Sequence, residues 1–294
     1  MGLCTYGLKL SQSFVQRMPS IGLIVTGEEA LREFCIFVQT LEVWHPDAQL
    51  YIYTDSCTDI SSVSWKGKIH IRKALNQYRG LGRNDMEKMP GNVYNSLWKD
   101  YMYEKTNVLE WMFETNSEAW FMDVDISFLA PLPTIPSSAT LALSPHYIRE
   151  SYTRKFGFYN AGFLWMRDRN YLTAWREAGH TTRFYEQSAL ETVAEIAKQS
   201  GEFYEFPIQV NFGWWRMIQS DLSPSTVQSK FTIFRNEQSI GVRYDGLPLQ
   251  SIHTHWSHQF HYHDPSFFNN WFLEFTKKFS KHPPLSRFRK TIQA

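Results

Sequence analysis

The chain has 294 residues, 43% hydrophobic and 16% aromatic, enough core material for one or two domains and too apolar for intrinsic disorder. Thirty basic residues stand against 29 acidic ones, so the bulk basic field that binds nucleic acid is absent. Three cysteines, Cys4, Cys35 and Cys57, show no metal spacing and point to a reducing compartment.

Residues 1–19 read as an N-terminal extension. It lacks the long apolar stretch of a secretory signal. It opens Met1-Gly2, as a myristoylation site does, but carries Tyr6 where that motif takes Ser or Thr. No apolar run approaches the roughly 18 residues of a membrane-spanning helix. A soluble cytoplasmic protein is expected, with peripheral membrane association left open. Ile21–Val25 is a short apolar run of strand type. Residues 28–44 place Leu31, Phe34, Cys35, Val38 and Leu41 at helical spacing, and His45-Pro46-Asp47 ends that helix. Leu50–Thr54 is a second strand. Strand, helix and strand in so short a span form a βαβ unit, which implies a parallel sheet.

Further along, the patterns predict a strand at Lys68–Arg72, a glycine-bearing loop, and a helix over 93–113. A buried strand, Trp120–Ile126, ends in acid. Strands at 141–143 and 161–166 follow, then a helix over 185–198. Phe203–Pro207 and Ser251–His255 read as strands and 265–279 as an amphipathic helix. Lys281–Ala294 is a basic tail whose composition suggests a loose end. There is no internal repeat and no low-complexity segment.

The acid at the end of the central strand carries the functional argument. Asp is poor in strand interiors, yet Asp123 and Asp125 follow an apolar run with one residue between them. At strand period their carboxylates share a face, where they repel, and burial worsens the repulsion. A divalent cation removes that penalty, and hard oxygen ligands suit Mg²⁺ or Mn²⁺. In open α/β sheets, ligands bind outside the carboxyl ends of the strands. Thr26 and Gly27 end the first strand there and Asp55 follows the second, so these three are candidates to hold base and ribose. The plain alternative is a pair of strand-end residues that cap a turn.

The segment Trp120-Phe-Met-Asp-Val-Asp-Ile-Ser-Phe-Leu-Ala-Pro-Leu-Pro133 resembles the Asp-x-Asp segment of the GT-A glycosyltransferases, the nucleotide-diphospho-sugar transferases that include glycogenin. Tyr159-Asn-Ala-Gly-Phe-Leu-Trp-Met166 resembles their second hallmark, an Asn-x-Gly turn leading into a strand. Glu186-Gln187 resembles a third, an acidic-Gln pair opening a helix, although most relatives carry Asp where Glu186 stands. The resemblance spans roughly 20–260. It implies an α/β GT-A (Rossmann-like) fold with a mostly parallel central sheet flanked by helices. Residues 20–264 would form the transferase domain, with a C-terminal helix and basic tail, 265–294, packed on it.

It also implies roles. Asp125 would ligate the metal, and Asp123 would contact the metal or the donor ribose. A late histidine would complete the site, His253 by preference and His255 as the alternative, within a segment that continues to His258, His261 and His263. Asn160, Ala161 and Gly162 would turn beside the donor sugar. Glu186 and Gln187 would stand at the anomeric carbon or the acceptor, and Lys105 resembles a lysine near the donor. The cofactor would be Mn²⁺ or Mg²⁺, the donor a nucleotide-diphosphate sugar, UDP-sugar foremost, and the acceptor a glycan or other hydroxyl. The motif set favours retention of configuration. Lys99 is a weaker candidate than Lys105. Arg149, Arg154 and Lys155 could clamp phosphate, and Trp214, Trp215, Arg216 and Trp256 could line a sugar site, although solvated loops and core packing are the commoner fates. Competing readings are an Asp-x-Asp phosphohydrolase and a carbohydrate-binding protein with a degenerate site.

Overall fold

A computed structural model describes residues 18–235, 240–256, 265–279 and 285–293. In chain order it runs β1 (Ser20–Val25), α1 (Gly27–Leu41), β2 (Gln49–Thr54), β3 (Ile69–Arg72), α2 (Arg83–Met86), α3 (Leu97–Met112), β4 (Ala119–Met122), β5 (Ile126–Phe128), β6 (Leu141–Pro145), α4 (Glu150–Phe156) and β7 (Tyr159–Met166). Then come α5 (Asn170–Gly179), α6 (Leu190–Gln199), β8 (Phe203–Glu205), β9 (Phe212–Gly213), α7 (Arg216–Gln219), α8 (Pro224–Ser229), β10 (Phe231–Arg235), β11 (Ile240–Tyr244), β12 (Leu247–Pro248), β13 (Ser251–His253), α9 (Ser266–Thr276) and α10 (Leu285–Gln293).

The central sheet has seven strands in the order β3-β2-β1-β4-β7-β6-β8. The expected βαβ unit is present, with β1 parallel to β2 in the register Ile21↔Leu50. The sheet is mostly parallel, but β7 runs antiparallel to both its neighbours, β4 and β6. Successive side chains leave a strand on opposite faces. Tyr51, Phe121, Leu143 and Leu164 pack under Val108, Leu109 and Met112 of α3, Trp175 of α5 and Val193 of α6. On the other face Ile21, Leu23, Leu50 and Ile52 pack against Phe34, Phe37, Val38 and Leu41 of α1, a stripe at helical spacing. Each such buried side chain contributes about 1.5–3 kcal/mol. The turn from β1 into α1 needs Gly27, whose φ of 78° lies in the left-handed region.

Several expectations need correction. The strand drawn over 120–126 is two strands, and Asp123, Val124 and Asp125 form the break between them. The helix expected from 93 begins at Leu97, where Ser96 accepts a capping bond from the Lys99 amide. The Asn-Ala-Gly segment is not a turn: it lies inside β7, where Asn160 stands opposite Ser144 of β6 and Gly162 O accepts from Asp123 N, and these contacts override the turn preference of Asn and Gly. Glu186 and Gln187 do not open a helix. They sit in the turns before α6, next to Tyr185, whose φ of 38° is left-handed. Arg149, Arg154 and Lys155 border or lie on α4 rather than a loop. The basic tail forms α10 over Leu285–Gln293, with Leu285 and Phe288 buried and Arg287 paired with Glu42, the residue after α1.

Among the described residues two three-stranded sheets accompany the central one, β10-β11-β12 and β5-β13-β9. The second positions the site. There β13 pairs antiparallel with β5, His253 opposite Ile126, and parallel with β9, His253 opposite Gly213. Residues distant in sequence thus become neighbours of the acid pair.

Candidate active site

The break between β4 and β5 turns Asp123 and Asp125 toward β13. Two backbone bonds clamp it: Asp123 N donates to Gly162 O at 2.8 Å and Thr254 N to Asp125 O at 3.0 Å. His253 Nε2 lies 3.1 Å from Asp125 Oδ1 and 4.0 Å from Asp123 Oδ2. One ligating atom from each of Asp123, Asp125 and His253 lies within 4.8 Å of the others. Among the described residues no other group of three His, Cys, Asp or Glu side chains meets that spacing. His255 Nδ1 approaches the second Asp125 oxygen at 3.2 Å and stands outside the trio. His258, His261 and His263 fall outside the described residues.

The trio fits a divalent cation on structural grounds. Gly162 leaves room for it: a Cβ there would lie 2.2 Å from Asp123 Oδ2 and 2.7 Å from His253 Cε1. His253 packs edge-on to Trp215, ring centroids 5.0 Å apart, and its Nδ1 is buried with no hydrogen-bond partner among the described residues. Burial alone would raise the Asp125 carboxyl's pKa, but His253 and His255 outweigh it and hold the group well below the usual carboxylate range. Asp123 is 32% exposed in its side chain while Asp125 and His253 are buried, so the trio meets solvent through Asp123.

Behind Asp123 lies a second buried charge group. Lys105 of α3 places Nζ 2.9 Å from Glu186 Oε1, 3.2 Å from Asp123 Oδ1 and 3.4 Å from Ala161 O. Burial lowers a lysine's pKa, but the two carboxylates override it and hold Lys105 above the ordinary value. A solvated helix lysine is therefore the wrong picture. Its position was readable: Tyr101, Lys105, Val108, Leu109 and Met112 share one helical stripe, and a lysine on such a stripe calls for buried acid.

Asn160 is buried in β7. Its Oδ1 accepts from Gly162 N and Asn211 Nδ2, both at 3.1 Å, and its Nδ2 lies 3.4 Å from both His146 Nε2 and Gln187 Oε1. Protein groups thus engage both ends of the Asn160 carboxamide. Gln187 is anchored by Nε2, which donates to Phe156 O at 2.9 Å. His146 and Asn211 carried no sequence signal, since each is a lone polar residue whose partners are remote.

The three nucleotide candidates form a neighbouring cluster. Gly27 N donates to Thr58 Oγ1 at 2.8 Å, and Thr58 Oγ1 to Asp55 Oδ2 at 2.7 Å. Burial would raise the Asp55 pKa, yet bonds from Thr58, Cys57 N and Thr58 N lower it. Thr26 Oγ1 meets the Tyr101 hydroxyl at 2.8 Å, and Tyr101 stands one helical turn before Lys105. That turn of α3 links the two clusters. The remaining candidates bond elsewhere. Lys99 lies over the Tyr94 ring, and Lys155 over that of Phe156. Arg149 donates to the carbonyls of Ile218 and Ser220, and Arg154 pairs with Glu150. Trp214 N donates to His253 O, while Trp256 Nε1 donates to Ser127 Oγ. Arg216 is buried against backbone carbonyls.

No family model and no curated protein matches the chain. Solved structures do. The galactosyltransferase LgtC, in complex with donor and acceptor sugar analogues, matches with a TM-score of 0.50 at 13% identity, over 93% of this chain and 95% of that one. The bifunctional glycosyltransferase WbbM matches with a TM-score of 0.51 at 9% identity, over 97% of this chain and 53% of that one. The chain has the GT-A fold, with its Asp-x-Asp group at the edge where parallel strands end.

Proposed function

We propose that the chain is a metal-dependent glycosyltransferase that moves a sugar from a nucleotide diphosphate, foremost UDP, to a glycan or other hydroxyl. The convergence of Asp123, Asp125 and His253 beside the Lys105–Glu186 pair, at the ligand edge of a GT-A sheet, carries this reading. Mn²⁺ is preferred to Mg²⁺ because one donor is an imidazole. A divalent ion, when bound, acts as a Lewis acid toward the leaving diphosphate.

The chain's own groups do the rest. Asp125 and His253 form the buried side of the ion site, and Asp123 the side that reaches solvent. Thr26, Gly27 and Asp55, one α3 turn away, receive base and ribose. Lys105 stays charged and fixes Glu186 next to Asp123. Gln187 holds the Ala161 amide region, with its Oε1 3.5 Å from Ala161 N. Because Glu186 is committed to Lys105, we favour retention by a front-face route. The bond from the anomeric carbon to the diphosphate oxygen breaks, the acceptor oxygen bonds that carbon on the same face, and the acceptor's proton passes to the departing phosphate. The sparse cysteines favour a reducing compartment, which supports a cytoplasmic reaction. No helix among the described residues is long and apolar enough to cross a membrane.

A nucleotide-sugar panel, run with Mn²⁺ and with EDTA, tests the reading. Nucleotide release only with metal is expected. Phosphate release from a plain phosphoester would favour the phosphohydrolase, and sugar binding without turnover a binding protein. Product configuration by NMR decides retention.

A further inference from the structure

We propose that His146 and Asn211 are positioning residues, which hold the Asn160 carboxamide in one orientation and through it fix Gln187 and the Gly162 amide beside the acid pair. The inference rests on the transferase reading of that site for its effect on turnover, while its geometry stands independently.

Donor and acceptor logic sets the orientation. Gly157 O can only accept and lies 2.9 Å from His146 Nδ1, so the proton is on Nδ1 and the Nε2 lone pair is open. Gly162 N can only donate and lies 3.1 Å from Asn160 Oδ1, so the oxygen end of the carboxamide faces it. The amino end then faces His146 Nε2 and Gln187 Oε1. Asn211 Nδ2 supplies the second bond to Asn160 Oδ1. Gln187 agrees with this polarity, because its own amino group is spent on Phe156 O. Turning the Asn160 carboxamide over would set donors against donors and acceptors against acceptors at every contact, in a buried place where unmade bonds are costly.

Two further features support the arrangement. Burial pushes the His146 imidazole down to about 3, which preserves the accepting lone pair. Arg216 straps together the segments that carry the two residues: Nε donates to His146 O at 2.8 Å, and its other nitrogens to the carbonyls of Pro145, Asn211 and Ile208. All are carbonyls, so the guanidinium acts as a backbone brace.

The test combines a signal independent of activity with a kinetic cycle. In ¹⁵N-histidine-labelled protein, His146 should carry its proton on Nδ1 and none on Nε2. The Asn160 side-chain amide, assigned by its loss in Asn160→Ala, should exchange faster in His146→Ala and in Asn211→Leu, and slow again in His146→Gln, which keeps an acceptor. Should His146→Ala fail to fold, Asn211→Leu and His146→Gln carry the comparison. With a donor that is turned over, His146→Ala should lower kcat by about 10²-fold with little change in KM. In an Asn160→Ala background the same change should cost less than about twofold. A proton on His146 Nε2, an Asn160 amide indifferent to both changes, or kcat losses that multiply in the double variant would overturn the proposal. Failure of the unmodified protein to turn over any nucleotide sugar would sink the transferase reading instead, and the amide and imidazole signals would still decide the positioning.

Discussion

Lys105 Nζ and Glu186 Oε1 stand 2.9 Å apart with both side chains nearly sealed from water. Lys105 has a second carboxylate, Asp123, whereas the ammonium is the one cation in an ion pair with Glu186 among the described residues. Removing the lysine therefore strands a buried charge, and removing the glutamate does not. Lys105→Met should destabilise by about 3–5 kcal/mol, the cost of breaking a buried pair, and Glu186→Gln by clearly less. Urea midpoints measure both, and equal losses would contradict the shared-ammonium arrangement.

Asp125 and His253 should dominate ion binding. Titration calorimetry with Mn²⁺ on the unmodified protein, Asp125→Asn, His253→Gln and His255→Gln ranks them. The first two changes should weaken binding by more than the roughly 10–100-fold seen when groups behind a ligand are changed. The loss at His255 should fall within that range, because its ring meets Asp125 from outside the trio. Matching losses at the two histidines would exclude His253 as the sole imidazole ligand.

Gly162→Ala tests the fit of the site without replacing a ligand. The added methyl would lie 2.2 Å from Asp123 Oδ2 and 2.7 Å from His253 Cε1. Overpacking of this kind costs about 1–3 kcal/mol. Mn²⁺ affinity and donor turnover should fall together while the far-ultraviolet dichroism stays unchanged. Full Mn²⁺ affinity in this variant would show that the cation sits elsewhere.

The acid side of the stability profile should be steep below pH 6.5. His45 Nε2 accepts from Leu132 N at 2.9 Å, and burial lowers its pKa. The unfolded chain, with histidine near about 6.5, binds protons that the folded form refuses. The contribution is thus fully present above that value and is lost as pH falls toward the lower folded one. His146, pushed down to about 3 by burial, extends the same loss to lower pH. His45→Gln should flatten the upper part of the slope in urea midpoints taken from pH 8 to 5. An unchanged slope would remove His45 from the account.

The sequence showed the scaffold better than the contacts. Apolar runs at Ile21–Val25 and Leu50–Thr54, and the stripe through Phe34, Val38 and Leu41, report local patterns that tertiary packing reinforced. Asp123 and Asp125 were legible because carboxylates after an apolar strand conflict with local preference unless a ligand resolves the conflict. Asn160 has the local tendency of a turn residue, but its pairing with Ser144 of β6 outweighs it. The order of 285–293 was missed because Arg287, Arg289 and Lys290 hide the apolar spacing of Leu285, Phe288 and Ile292. The network of His146 and Asn211 was invisible, since polar partners remote in sequence leave no periodic trace.

The placement of β13 between β5 and β9 has a consequence for synthesis of the protein. A growing chain makes both acids of the Asp-x-Asp group long before the strand that brings the histidine. Until residues 251–253 emerge, β5 and β9 each lack the same neighbour, and unpaired strand edges invite association with other chains. A chain halted ahead of that strand would hold both acids without the histidine that completes their group and would leave the facing edges of β5 and β9 open.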